Sequence, residues 1–274
     1  MSLNVAVEDY QKYSKRLAEY SEALLVQSRK MHPEKLGELA ERRRMSIETL
    51  EEAGVFYIGD MREMVHPLFV DEIANFGVVS ETNGKPIFDD RYVFPIKDSY
   101  GNVINFVGYT WKADVRYVYG TGRYYERTND FYGAENMPLI YKMGWGVVVE
   151  GITDCVALRN AGVKNSLATC GTIESLIRMD KLARVEHGII FIHDRDKAGD
   201  NTREHWVVPR CVRLNISNGC KDIDEYLDKV ESDEAQEERR KAFLDCLDIC
   251  VDWLMSGTAI RNGSKPIETS ATLF

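Results

Sequence analysis

The sequence predicts a mixed α/β protein, with an α+β first half, a parallel α/β segment after it and a short helical end. Three observations carry this. Apolar and aromatic residues recur every three or four positions from Val7 to about Ala53. Short β-rich runs separated by turn residues fill 67 to 134. From 145 onward, apolar runs alternate with helical stretches, which is the signature of strands joined by helical crossovers. The expected division is 1–140, 141–227 and 228–274.

In the first stretch Tyr10, Tyr13, Leu17, Tyr20, Leu24 and Leu25 share the helical spacing, and His32-Pro33 interrupts it. A second helix runs through Leu36, Leu39 and the triplet Arg42-Arg43-Arg44, which reads first as a solvated face. Ser46 then caps a short helix that Gly54 stops. The β-rich runs are 76–79, 86–88, 92–96 and 103–109, with Asn83-Gly84 and 99–102 as turns, so a small antiparallel sheet is expected. Bases and rings then interleave: Tyr109, Trp111, Lys112, Arg116, Tyr117, Tyr119, Arg123, Tyr124, Tyr125, Arg127, Phe131 and Tyr132. That pattern suits a groove stacking the bases of a single strand, and equally an aromatic sheet core with exposed cations.

Beyond 145 the expected order is strand 145–150, helix 152–161, strand 163–168, helix 172–184, strand 188–193, helix 198–206 and strand 210–214. Gly171-Thr172 opens the second helix, either as a phosphate-facing N-terminus or as a plain cap. The helix from Glu231 to Met255 has Phe243, Leu247, Val251 and Leu254 on its apolar face and is assigned to packing or oligomer contact. The tail from Gly257 is expected to be poorly ordered.

Strands ending in carboxylates stand out. Val147-Val148-Val149 stops at Glu150-Gly151, with Asp154 one helical turn on; Ile189 to Ile192 stops at His193-Asp194-Arg195-Asp196; and Lys221-Asp222-Ile223-Asp224-Glu225 follows downstream. The carboxyl ends of neighbouring parallel strands converge on one crevice, so these acids can meet. Such a cluster repels itself unless cations bind it. Asp154 admits a second reading, as an exposed acid favoured by its helix dipole.

Composition bounds the rest. At 274 residues and 44% hydrophobic, the chain can bury a sizeable core. A formal charge of −9 offers no global basic footprint for nucleic acid, although a local basic groove suffices to bind one. Six cysteines form no C-x-x-C pair and read as buried free thiols in a reducing, cytoplasmic setting. No apolar run reaches the ~18 to 20 residues of a membrane span, and no signal-peptide pattern opens the chain.

The acidic motifs resemble those of the TOPRIM domain shared by primases, topoisomerases, a nuclease family and recombination mediators. More specifically, 150–154 is similar to the E-G-x-x-D of DnaG-type bacterial and phage primases, 168–172 to their A-S-x-G-T, and 194–199 to their D-x-D-x-A-G. Asp222-Ile223-Asp224 resembles the late D-P-D with its proline replaced, and 91–108 resembles the R-V-x-F-P-I…G-x-V-I…G segment. The likeness spans roughly 40 to 227. It implies a primase catalytic core with a Rossmann-like TOPRIM sheet that makes short RNA primers by metal-dependent nucleotidyl transfer. Glu150, Asp194 and Asp196 would be catalytic. They would bind Mg²⁺ or Mn²⁺ together with Asp222 and Asp224, with Asp154 as a further acid. Arg91, Lys97, Arg116, Arg123, Arg127 and Lys197 would hold template or incoming triphosphate.

The implied partners are a single-stranded DNA template and ribonucleoside triphosphates, with room for a replicative helicase. No zinc ribbon precedes the core, so recognition of template sequence is expected to come from elsewhere, such as a separate zinc-binding module, or to be absent. The chain looks like a minimal core of phage or mobile-element type. Two rival readings use the same acids: a TOPRIM nuclease with water as nucleophile, and a non-catalytic nucleic-acid-binding scaffold.

Overall fold

A computed structural model describes residues 3–64, 67–69, 72–80, 82–127, 129–171, 175–194, 210–216, 219–228, 230, 232–256 and 270–273. Contacts divide the chain into two compact units, Met1–Glu126 and Arg127–Phe274.

The first unit opens with helix α1, Leu3–Met31, which ends just ahead of Pro33. Proline has no N–H to donate, and it drives the residue before it out of the helical region. Tyr13, Leu17, Tyr20 and Leu24 are the buried stripe of α1 and pack on Phe56, Phe76, Phe88 and Phe106. Helices α2, Lys35–Arg43, and α3, Ile47–Glu52, follow; Ser46 Oγ accepts from Thr49 N at 3.0 Å and starts α3. Strand β1, Phe56–Ile58, comes next, then a one-turn helix α4, Met61–Met64. Strands β2, Arg91–Lys97, β3, Val103–Tyr109, and β4, Tyr117–Tyr119, complete an antiparallel sheet in the order β1-β2-β3-β4.

The expected antiparallel sheet is present, but its membership differs. The runs 76–79 and 86–88 form no strands and meet at one bridge, Val79 to Pro86. Gly77 sits at φ +68 against the backbone of Thr121 and Gly122, which turns the chain and drives both Phe76 and Val78 inward. Conversely β1, unassigned in the sequence reading, is three buried residues paired to β2.

The second unit is built on a parallel sheet. Helix α5, Met137–Met143, leads into β5, Trp145–Val149; α6, Ile152–Asn160, crosses to β6, Ser166–Ala168; and α7, Leu176–Ala183, crosses to β7, Gly188–Phe191. Strand β8, Cys211–Ile216, then α8, Ile223–Asp228, α9, Asp233–Met255, and β9, Ser270–Leu273, complete the described elements. The sheet order is β6-β5-β7-β8-β9, all parallel. The expected helix at 198–206 lies outside the described residues.

Two expectations differ in detail from the described residues. The two compact units divide after Glu126, where the expected division was 140, and Phe131, Ala134, Met137 and Ile140 pack with Val148, Leu167, Ile189 and Phe191 in the core of the parallel sheet. The tail is not wholly irregular: 270–273 add a strand along β8 and satisfy its outer backbone groups. Helix α9 packs on β8, β9 and α8, and buries Phe243, Leu247, Cys250 and Leu254, with Cys250 in the place expected of Val251.

Candidate metal centre

The carboxyl ends of β5 and β7 are neighbours, since Val148 pairs with Phe191 and Ile192 N donates to Val148 O at 3.0 Å. Each chain therefore delivers its next acid to the same edge. Glu150 Oε1 accepts from Asp194 N at 3.2 Å. Behind it, His193 is buried, stacks on Phe191 and places Nδ1 3.5 Å from Glu150 Oε1.

A second acid group stands on helix starts. Asp154, in the first turn of α6, is 5% exposed, so it is not the exposed dipole acid of the alternative reading. Its Oδ2 accepts from Gly151 N at 3.1 Å, and its Oδ1 from Asp224 N at 3.1 Å. One carboxylate thus caps its own helix and ties in α8. The glycine after Glu150 is required by this arrangement, because a Cβ at Gly151 would collide with Asp154 Oδ2. Asp222 Oδ1 accepts from Glu225 N at 2.8 Å and starts α8. Asp154, Asp222 and Asp224 offer carboxylate oxygens within 4.8 Å of one another.

The electrostatics show what the arrangement costs. Burial, and then the charges of Asp222, Asp224 and Asp194, push the Asp154 carboxyl well above the ordinary carboxylate range. Asp194 is pushed up to about 6 by burial and the Glu150 charge, with Lys221 opposing. Lys221 Nζ lies 3.2 Å from Asp194 Oδ2. The two acid groups therefore sense one another, Asp154 through Asp194 and Asp194 through Asp222. Clustered hard oxygens whose charges raise one another's pKa fit a divalent cation such as Mg²⁺ or Mn²⁺.

Of the acids singled out from sequence, Glu150, Asp194, Asp154, Asp222 and Asp224 gather in this unit. Asp196 and Lys197 lie outside the described residues. The cations divide. Arg127 belongs to this unit, and its Nε donates to Cys170 O at 2.7 Å, in the turn after β6. Arg91, Lys97, Arg116 and Arg123 belong to the first unit. There Arg91 donates to Val115 O at 3.1 Å and Arg116 O at 3.2 Å, and Arg123 pairs with Asp9 at 3.1 Å. Arg116 is exposed and Lys97 half-buried. Sequence reasoning gave no role to His193 or Lys221. The available signal was their adjacency to Asp194 and Asp222.

Residues 147–227 match the family model described as Toprim-like. The DNA primase of Synechococcus elongatus is 31% identical over 169 residues, covering 56% of this chain and 24% of that protein. The chain spans about a quarter of the length of that relative. Among solved structures, a DnaG primase catalytic domain bound to single-stranded DNA superposes with a TM-score of 0.66 at 23% identity, covering 85% of this chain and 80% of that one. The Aquifex aeolicus primase, comprising zinc-binding and RNA polymerase domains, gives a TM-score of 0.67 at 18% identity over 88% of this chain and 65% of that one. Residues 147–227 thus carry a Toprim-like domain, and the chain as a whole is similar in fold to the catalytic cores of DnaG primases.

Proposed function

We propose that the chain is the RNA polymerase core of a primase, joining ribonucleoside triphosphates on a single-stranded DNA template. The observation that supports this reading is the close grouping of the Asp154, Asp222 and Asp224 carboxylates, together with Glu150 held against Asp194 at the ends of the neighbouring strands β5 and β7. In nucleotidyl transfer a 3′-hydroxyl attacks an α-phosphate and pyrophosphate leaves. Bound Mg²⁺ or Mn²⁺ supplies neutralisation of the negative charge that grows on the phosphate oxygens.

The chain's own residues do the holding. Asp154, Asp222 and Asp224 are the proposed enclosed ligand set, Glu150 and Asp194 the proposed set at the strand ends, and Asp196 a further proposed ligand. His193 and the Asp194 backbone orient the Glu150 carboxylate, leaving it poised as ligand or proton acceptor. Arg91, Lys97, Arg116, Arg123, Arg127 and Lys197 are the cations proposed for template and triphosphate phosphates. A zinc-binding module and a replicative helicase are proposed as further partners, in the cytoplasm of a bacterial or phage-infected cell. Among the described residues, no helix is long and apolar enough to cross a membrane.

The test is template-dependent incorporation of labelled ribonucleotides with Mg²⁺ or Mn²⁺, comparing the protein with Asp194→Asn. Synthesis by the parent that the variant loses supports the reading. Metal-dependent cleavage without synthesis would establish the nuclease instead, and DNA retention with neither activity the scaffold.

A further inference from the structure

Lys221 occupies an unusual place for a half-exposed lysine. Its main chain is anchored, because Lys221 N donates to the Glu225 carboxylate while Glu225 N donates to Asp222 Oδ1 at 2.8 Å. Its side chain leaves the start of α8 and reaches the end of β7, setting Nζ 3.2 Å from Asp194 Oδ2. The aspartate side chain is 18% exposed and the lysine 52% exposed, so the ammonium approaches from the solvent side of a largely enclosed carboxylate. Asp194 also feels like charge from Glu150, whose Oε1 accepts from Asp194 N at 3.2 Å, and from Asp222.

An ammonium in this position does part of what a divalent ion would do. It places positive charge where acids repel one another, and it occupies an oxygen that a metal would use. A cation of charge two arriving at the same carboxylates is repelled by that ammonium and must displace it from Asp194 or share the oxygen with it.

Resting on the reading above that the acid cluster takes divalent cations, we propose that Lys221 is a resident counter-cation that competes with them. It neutralises Asp194 in the metal-free protein, gives way as a divalent ion binds, and so sets the cation concentration at which the cluster fills. The competing expectation, that Lys221 merely holds Asp194 in a ligating pose, has the opposite sign.

The experiment is Mn²⁺ titration of the full chain, reading free Mn²⁺ by electron paramagnetic resonance, with no nucleotide or template present. Lys221→Met is compared with the parent, with Lys221→Arg, and with Lys142→Met. The last removes the same charge from an exposed site on α5. Lys221→Gln serves as the second neutral variant should Lys221→Met fail to fold. The proposal expects the neutral variants at 221 to bind Mn²⁺ more tightly by roughly three- to fivefold, the scale of one partly exposed ion pair. Lys221→Arg and Lys142→Met should stay near the parent. Unchanged or weaker binding by the neutral variants, with the parent still binding, overturns this inference and leaves the proposed function standing. Absence of Mn²⁺ binding by parent and variants alike overturns both.

Discussion

In the first unit cations lie on a row of sheet aromatics, whereas the second, which has ring-seated arginines of its own, also gathers acids close to one another. Tyr57, Tyr92, Tyr109 and Tyr117 stand opposite each other in register across the four antiparallel strands, and Trp111 stacks on Tyr92 with centroids 5.2 Å apart. Lys35, Arg42 and Arg43 lie 5.2, 4.5 and 5.0 Å from the centroids of Tyr57, Trp111 and Tyr109. Opposite partners of an antiparallel sheet share a face, so the row is a packed stack with its cations already engaged. The parallel unit brings Asp154, Asp222 and Asp224 together at the cost of raised carboxyl pKa values. Packed cations stabilise the fold they belong to. Acids gathered against their own repulsion are a cost that folding alone does not explain, and such perturbed groups mark functional sites.

The sharpest way to separate the two regions is by activity. Asp194→Asn should lower primer synthesis by roughly 100-fold or more, as expected when a metal ligand is lost. Trp111→Ala should leave it within a few-fold of the parent, provided the rings of the first unit are structural. The next largest effect is on stability. Asp154→Ala leaves Gly151 N and Asp224 N without their acceptor, while relief of the repulsion from Asp222, Asp224 and Asp194 offsets part of that loss, so the net cost by denaturant unfolding in metal-free buffer should be about 1–2 kcal/mol. Trp111→Ala removes the stack on Tyr92 and the seat of Arg42 and should cost about 1–2 kcal/mol, with Mn²⁺ binding unchanged.

How much of this was legible in the sequence follows from the range of the interactions. The clusters at 150, 194 and 222–224 were readable because each acid directly follows an apolar strand or opens a helix, and both are local patterns. The burial of Asp154 was not, since it depends on a hydrogen bond from Asp224 N, which is 70 positions away along the chain. The tyrosine row was equally hidden. Register between strands decides which rings meet, and Arg42 and Arg43, which read from sequence as a solvated face, rest on the rings of Trp111 and Tyr109. Strand β1 escaped because three apolar residues after a helix stop carry no alternation, and β9 because Ser-Ala-Thr-Leu becomes a strand only beside β8.

The smallest predicted effect distinguishes the units by pH. A carboxyl whose pKa is raised in the fold binds its proton more tightly there than in the unfolded chain. Its charged form therefore destabilises the fold. Asp194, ordinarily 3.8 and here about 6, makes the metal-free protein lose stability as pH rises from about 4 through 6 and regain it as pH falls. Asp154 is shifted in the same direction. Thermal unfolding in chelator should show a gain of about 1 kcal/mol between pH 7 and pH 5, after discounting for solvent screening. Saturating Mn²⁺ should reverse the trend, because protons then compete with the metal.

The central claim, that the gathered acids form a divalent-cation site, is tested most directly by anomalous diffraction from crystals soaked in Mn²⁺. The account predicts a peak bounded by the carboxylates of Asp154, Asp222 and Asp224, with Glu150 and Asp194 lining the same site. Manganese confined to other surface acids, with this cluster empty at saturating concentration, would contradict it.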